Sequence, residues 1–231
     1  MFNCFREIIA VGTLLPLLIS NPGCNDRQQK KGAGAVVSSQ KQKVDPNGPE
    51  VDCAQYTAQP TSPYILPYQV GESFEVWRTT SHYTPGNRGV GLYAIDFQMP
   101  IGTKIVAARA GVVVAARGEF YDGNGEDLKE NFVFIKHDDG SVARYFHLTH
   151  DGALVKAGDQ VKQGDVIGLS GNTGQTTGPH LHFDVQKCGP NLPPNYNQLP
   201  CGQTLPVTFR NTKPHACGLV PGESYKAERF D

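Results

Sequence analysis

Along the middle of the chain, apolar and polar positions alternate in short bursts and never settle into a long helical period. Strand-length segments recur between turn residues: Ser73–Arg78, Tyr93–Phe97, Lys104–Ala107, Gly111–Ala116, Asn131–His137, Val142–Leu148, Asp165–Leu169, His180–Gln186 and Val207–Arg210. Asp138-Asp139-Gly140 separates two of them as a tight hairpin turn does. Residues 158–165 read as a further turn-and-strand unit. No long amphipathic helix is visible. The pattern predicts an all-β, mostly antiparallel domain.

The two ends read differently. Arg6 precedes a brief apolar run from Ile8 to Ile19, interrupted by Pro16 and too short to span a bilayer comfortably. Residues 1–24 therefore read as an export signal. Cys24 stands where a lipid-modified cysteine would stand, with ordinary cleavage and release as the other reading. Residues 25–52 are polar, with too little apolar surface to fold, and are expected as a linker. The folded domain is expected over residues 53–231. Its tail after Lys187 is rich in Pro, Gly and Asn, and is expected to pack on the domain.

Twenty-one Lys+Arg against 22 Asp+Glu give a net charge of -1, which argues against a nucleic-acid partner. Cys4 lies in the signal and Cys24 at its end, leaving Cys53, Cys188, Cys201 and Cys217 in the domain. In an oxidising compartment four cysteines predict two disulfides with three pairings open. Closeness in sequence leans toward Cys188 with Cys201, which leaves Cys53 with Cys217. Zinc binding by these four is disfavoured, because no Cys-x-x-Cys pair occurs.

Candidate chemistry centres on Gly178-Pro179-His180-Leu181-His182-Phe183. On a strand, His180 and His182 share one face while Leu181 and Phe183 point into a core. Asp96 lies among apolar neighbours in Tyr93–Phe97, where a carboxylate is costly unless paired or metal-bound. Simple alternation puts His147 on the face of Ala143 and Tyr145, and a core histidine is its bland reading. His82, in Ser81-His82-Tyr83-Thr84-Pro85-Gly86, reads most plainly as a surface-loop residue. Yet a catalytic zinc needs three protein ligands and an open position, and two histidines with one carboxylate supply them.

Several blocks taken together resemble the lysostaphin-type peptidoglycan metallopeptidases: Tyr93–Phe97, Pro100–Val114, Tyr145–Leu148, Gly158–Gly168 and Gly171–Phe183. The similarity runs from about Pro67 to Val185. It implies an antiparallel β domain of the duplicated hybrid-motif (barrel-sandwich) type with an open substrate groove, and zinc-dependent cleavage of peptides in bacterial cell-wall peptidoglycan. By the same resemblance Asp96 and His182 are zinc ligands, while His147 and His180 are the non-ligand histidines that orient water and stabilise the oxyanion. The family's commonest first ligand falls on Leu92, so the chain departs there. Either His82 is carried back to the metal by a loop, or the site has lost a ligand. In the second case the chain is an inactive relative that binds peptidoglycan or activates an amidase. His137, His150 and His215 are expected to play no catalytic part. The expected partners are peptidoglycan peptides and, through Cys24, a membrane, for a monomeric protein of the periplasm or cell envelope.

Overall fold

The computed structural model describes residues 41–82, 91–187, 204–215 and 217–231. Two short strands, β1 (Lys41–Gln42) and β2 (Val51–Asp52), pair with each other. Ten further strands are present: β3 (Ser73–Arg78), β4 (Ile95–Gln98), β5 (Lys104–Val106), β6 (Gly111–Arg117), β7 (Asn131–Lys136), β8 (Ser141–Ala153), β9 (Gln160–Val161), β10 (Val166–Ser170), β11 (His180–Lys187) and β12 (Ser224–Lys226). They join in the order β12-β3-β4-β11-β8-β7-β6-β9, and β10 bridges β5 to β8. Every pairing is antiparallel. The described helices are 3-10 turns of three residues each, and none is long and apolar enough to cross a membrane.

Alternation builds two faces. Leu181, Phe183 and Val185 of β11 point the same way as Tyr145 of β8 and Phe97 of β4, all without exposed surface. Phe183 lies 5.2 Å from Tyr145 and 5.8 Å from Phe209, ring to ring. Burying one such ring contributes about 1.5–3 kcal/mol. The intervening residues of β4, β8 and β11 face the other side of the sheet, where Asp96, His180 and His182 lie.

The β7–β8 turn forms as its sequence implies. Gly140 takes a φ of +80°, costly for other residues, and its N–H donates to His137 O. Lys156-Ala-Gly-Asp159 and Lys162-Gln-Gly-Asp165 repeat one turn. In each, the Asp carboxylate accepts from the Lys N–H three residues earlier, at 3.0 and 2.7 Å.

Three expectations are corrected. Val207–Arg210 forms no strand, because its N–H groups leave the ladder: Arg210 donates to Tyr64 O and Phe209 to His215 Nε2. It fills the core instead, through the buried Val207 and Phe209. β8 continues well past Leu148, to Ala153. The stretch read as a linker to residue 52 carries structure over its described part, where Val44, Asp45 and Val51 are buried. A Cys53–Cys217 disulfide ties the start of the domain to its tail. Cys188 and Cys201 lie outside the described residues, as do the stretch expected as a signal, Cys24 and the expected linker up to residue 40.

Candidate metal centre and cleft

β4 and β11 pair with His182 directly opposite Asp96 and Leu181 opposite Phe97. The same register that sends Leu181 and Phe97 into the core therefore brings His182 and Asp96 together on the other face. His182 Nδ1 lies 2.9 Å from Asp96 Oδ1, and His180 Nε2 lies 3.6 Å from the same oxygen.

His82 arrives from outside this ladder. It ends a 3-10 turn, Thr80–His82, and its Nε2 lies 2.9 Å from Asp96 Oδ2. Its Nδ1–H donates to Thr79 O at 2.8 Å, which fixes the tautomer. The turn is braced by the segment expected as linker: Asp45 accepts from the N–H of Thr79 at 3.2 Å and of Asn47 at 2.8 Å. Gly48 packs so closely on Thr80 that a Cβ has no room. Leu92 stays away from the cluster and packs with Val44, Val51, Tyr93 and Cys217. Ligand atoms of His82, Asp96 and His182 all lie within 4.8 Å of one another.

His147 is also brought in by an irregularity, which corrects its expected facing. Asn131 pairs with Leu148 and Phe132 with Phe146, so His147 is an extra residue on β8. It takes φ +62°, a left-handed backbone that non-glycine residues rarely adopt and that concentrates at functional sites. Tyr145 stays in the core, while the His147 ring lies 4.6 Å from that of His180 and 6.0 Å from that of His182.

A common device orients these rings. The Nδ1–H of His147 donates to Thr173 O at 2.7 Å, and that of His180 to Gly178 O at 2.8 Å. With His82 on Thr79 O, three rings have Nδ1 spent on the backbone and Nε2 left for work. His182 is reversed: Nδ1 faces Asp96, and Nε2 lies 3.3 Å from Asp184 Oδ2. Asp184 is buried and gripped by Arg144 through Nε at 2.7 Å and Nη2 at 2.6 Å. Arg144 in turn lies over the rings of Phe146 and Phe134.

Burial pushes His147 down to about 3, helped by the neighbouring His180 and His182. Burial also lowers His180, against the pull of Asp96. Both are neutral at physiological pH. For His182 burial opposes charging, but hydrogen bonds to Asp184 and Asp96 carry it up to about 9. Burial would raise Asp96, yet His82 and His182 hold it well below the usual carboxylate range. A divalent ion would take the same atoms that now face Asp96.

The cluster lies in an open cleft of about 710 Å³, walled by Trp77 and Arg78 on one side and by Gln175, Thr176 and Thr177 on another. His137 and His215 are buried elsewhere and hydrogen-bonded to backbone groups, and His150 stacks on Tyr121. Sequence reading missed Asp184 and Arg144. A signal existed, since each is a charge within an apolar run, and they stand directly opposite each other between β11 and β8. It missed Asp45, Trp77 and Arg78 as well, for which no local signal exists.

A β-sheet domain that gathers two imidazoles and a carboxylate, beside two neutral imidazoles in an open cleft, has the donor set of a metal-dependent hydrolase. Residues 91–194, just under half of the chain, match the model of Peptidase family M23, so this stretch is a domain of that family, whose members are zinc metallopeptidases. The match begins after His82. Over 136 residues the chain is 37% identical to the peptidoglycan DD-endopeptidase ShyA of Vibrio cholerae, covering 56% of this chain and 30% of that protein. It is 40% identical over 101 residues to lysostaphin of Staphylococcus simulans, covering 44% and 19% respectively. Among solved structures, the catalytic domain of the prophage-encoded M23 protein EnpA from Enterococcus faecalis is 29% identical. That alignment covers 61% of this chain and 94% of that one, with a TM-score of 0.44. The chain spans less than a third of the length of these two curated relatives.

Proposed function

We propose that the chain is a zinc-dependent endopeptidase that hydrolyses peptide bonds in bacterial cell-wall peptidoglycan. The observation that carries this reading is the meeting of His82, Asp96 and His182 beside His147 and His180, in a chain that carries an M23 domain. The donor set fits zinc: two imidazole nitrogens, each oriented by a hydrogen bond from the far side of its ring, and one carboxylate. The nearness of His82 to Asp96 supports it as the ligand that Leu92 does not supply, and the inactive-relative reading is not favoured.

A bound zinc ion supplies Lewis-acid polarisation of the scissile carbonyl and a water whose pKa is brought to about 7. The protein's own groups do the rest. His147, neutral and with Nδ1–H fixed on Thr173 O, presents Nε2 as acceptor for a proton of the attacking water. The imidazolium so formed donates that proton toward the departing amine nitrogen. His180, fixed on Gly178 O and close to Asp96, orients the water and stabilises charge developing on the carbonyl oxygen. The open cleft admits an extended chain.

In the same reading, residues 1–24 direct export, Cys24 anchors the chain to a membrane lipid, and a monomer works in the periplasm or cell envelope. The experiment is zinc analysis of the purified protein together with digestion of purified sacculi. About one zinc per chain and new amino termini in the digest are expected. A protein that binds zinc but releases no new amino termini would overturn the reading.

A further inference from the structure

Trp77 and Arg78 both line the cleft, although neighbours on a regular strand face opposite ways. The cause lies in β3. Val76 pairs with Phe97 and Arg78 with Asp96, so β3 uses two steps where β4 uses one. One extra residue re-aims the side chains beyond it. Val76 stays in the core with no exposed surface, and the two side chains after it both reach the cleft.

Trp77 is packed. Its ring lies 5.8 Å from that of His180, and a Cβ at Gly178 would come within 3.2 Å of its ring edge. Arg78 differs. It is exposed, stands directly opposite Asp96 in register, and has no hydrogen bond or ion pair with its side chain among the described residues. The one carboxylate among the described cleft residues, Asp96, is engaged by His82 and His182. A guanidinium beside a carboxylate already taken keeps its five N–H donors for something that enters the cleft.

The geometry points to Arg78 as the anchor for a substrate carboxylate, with Trp77 as the apolar wall beside it, so that the preferred substrate is an anionic peptide. This rests on the endopeptidase reading above. Residues opposite each other in an antiparallel pair have Cα atoms about 5 Å apart. An extended peptide advances about 3.4 Å per residue. The anchored carboxylate therefore lies within about one or two residues of the bond that is cut. The planar fork of arginine matches a carboxylate with two parallel hydrogen bonds, which lysine cannot supply.

The test uses one cross-linked cell-wall peptide in two forms, with the carboxylate nearest the scissile bond free or amidated. Zinc-loaded wild type, Arg78→Gln and Arg78→Lys are compared by kcat/KM, and by Kd for non-hydrolysable versions of both peptides. Wild type is expected to favour the acid by about tenfold, the size of one charge-assisted contact open to water. Arg78→Gln brings the acid down to the level of the amide with zinc content unchanged, and Arg78→Lys falls between. Equal figures for both peptides in wild type overturn the proposal, as does an Arg78→Gln variant that slows both alike and keeps the preference. The endopeptidase reading fails in a different way, with neither peptide cut by the zinc-loaded wild type. The Kd values then decide on Arg78 alone: a preference for the acid that Arg78→Gln abolishes sustains the subsite, and its absence ends it.

Discussion

Asp96, His180 and His182 stand on β4 and β11, paired residue for residue, whereas His82 and His147 reach the same point from a 3-10 turn and a bulge. The first group is placed by the alternation that buries Leu181, Phe183 and Phe97, so the packing of the core also fixes which way these three side chains face. The second group is placed by exceptions. His147 takes a left-handed backbone, and His82 depends on Asp45, a residue 37 positions earlier in a stretch that reads as solvated linker. One half of the centre thus inherits the rigidity of the sheet, and the other is held by a few specific hydrogen bonds.

The sharpest test of this division removes one proposed ligand from each half. His182→Ala and His82→Ala should both lose bound zinc, with hydrolysis falling about a thousandfold or more, because the metal's contribution is several kcal/mol. Metal analysis with sacculus digestion reads this. An active, zinc-bearing His82→Ala protein would remove the turn from the centre and leave the ladder alone in charge. Next in size is His147→Ala, which should keep its zinc yet lose about 100-fold or more of kcat, the usual worth of a proton-transferring group. Equal metal loss in this variant would make His147 a ligand and erase the difference between bulge and turn.

The supports behind each half should rank in the same order. Asp184→Asn, behind His182, should weaken zinc binding about 10- to 100-fold in a chelator competition. It should also lower stability by about 3–5 kcal/mol, since the buried Arg144 loses its partner. Asp45→Ala, behind the His82 turn, leaves the buried Thr79 N–H without its acceptor at a cost of about 1–3 kcal/mol. Its effect on zinc affinity should be about tenfold or less. If Asp45→Ala equals Asp184→Asn, the turn is as firmly coupled to the metal as the ladder is.

The smallest effect concerns a histidine remote from the cleft. Burial lowers His137, whose Nδ1–H donates to Ala110 O. Above about pH 6.5 it is neutral folded and unfolded and contributes no pH dependence. As pH falls below that value the unfolded chain takes up the proton first, so stability is lost with falling pH. Urea titrations of the zinc-loaded protein should show this slope, and His137→Gln, which cannot charge, should flatten it. An unchanged slope in His137→Gln would assign the acid sensitivity to other groups, among them the buried His215 and the candidate metal centre.

Much of this molecule is legible in its sequence because alternation is a local property. The strands from β3 to β11, the Asp138–Gly140 turn and the shared face of His180 and His182 all arise from side chains that must point into or out of a core within a few residues. The cysteine count, with Cys188 and Cys201 close together, leans correctly toward Cys53 with Cys217. What the tertiary structure alone decided are the positions where alternation is broken or where distant segments meet. Bulges at Trp77 and His147 are invisible locally, because an extra residue shows only against a partner strand whose register is unknown beforehand. Asp45 looks like any solvated acid until Thr79 offers its N–H, and Val207–Arg210 looks like a strand until its neighbours leave it no ladder to join. Local sequence determines which way a residue faces along its own strand. Which residues then stand within bonding distance is decided by pairing across the chain.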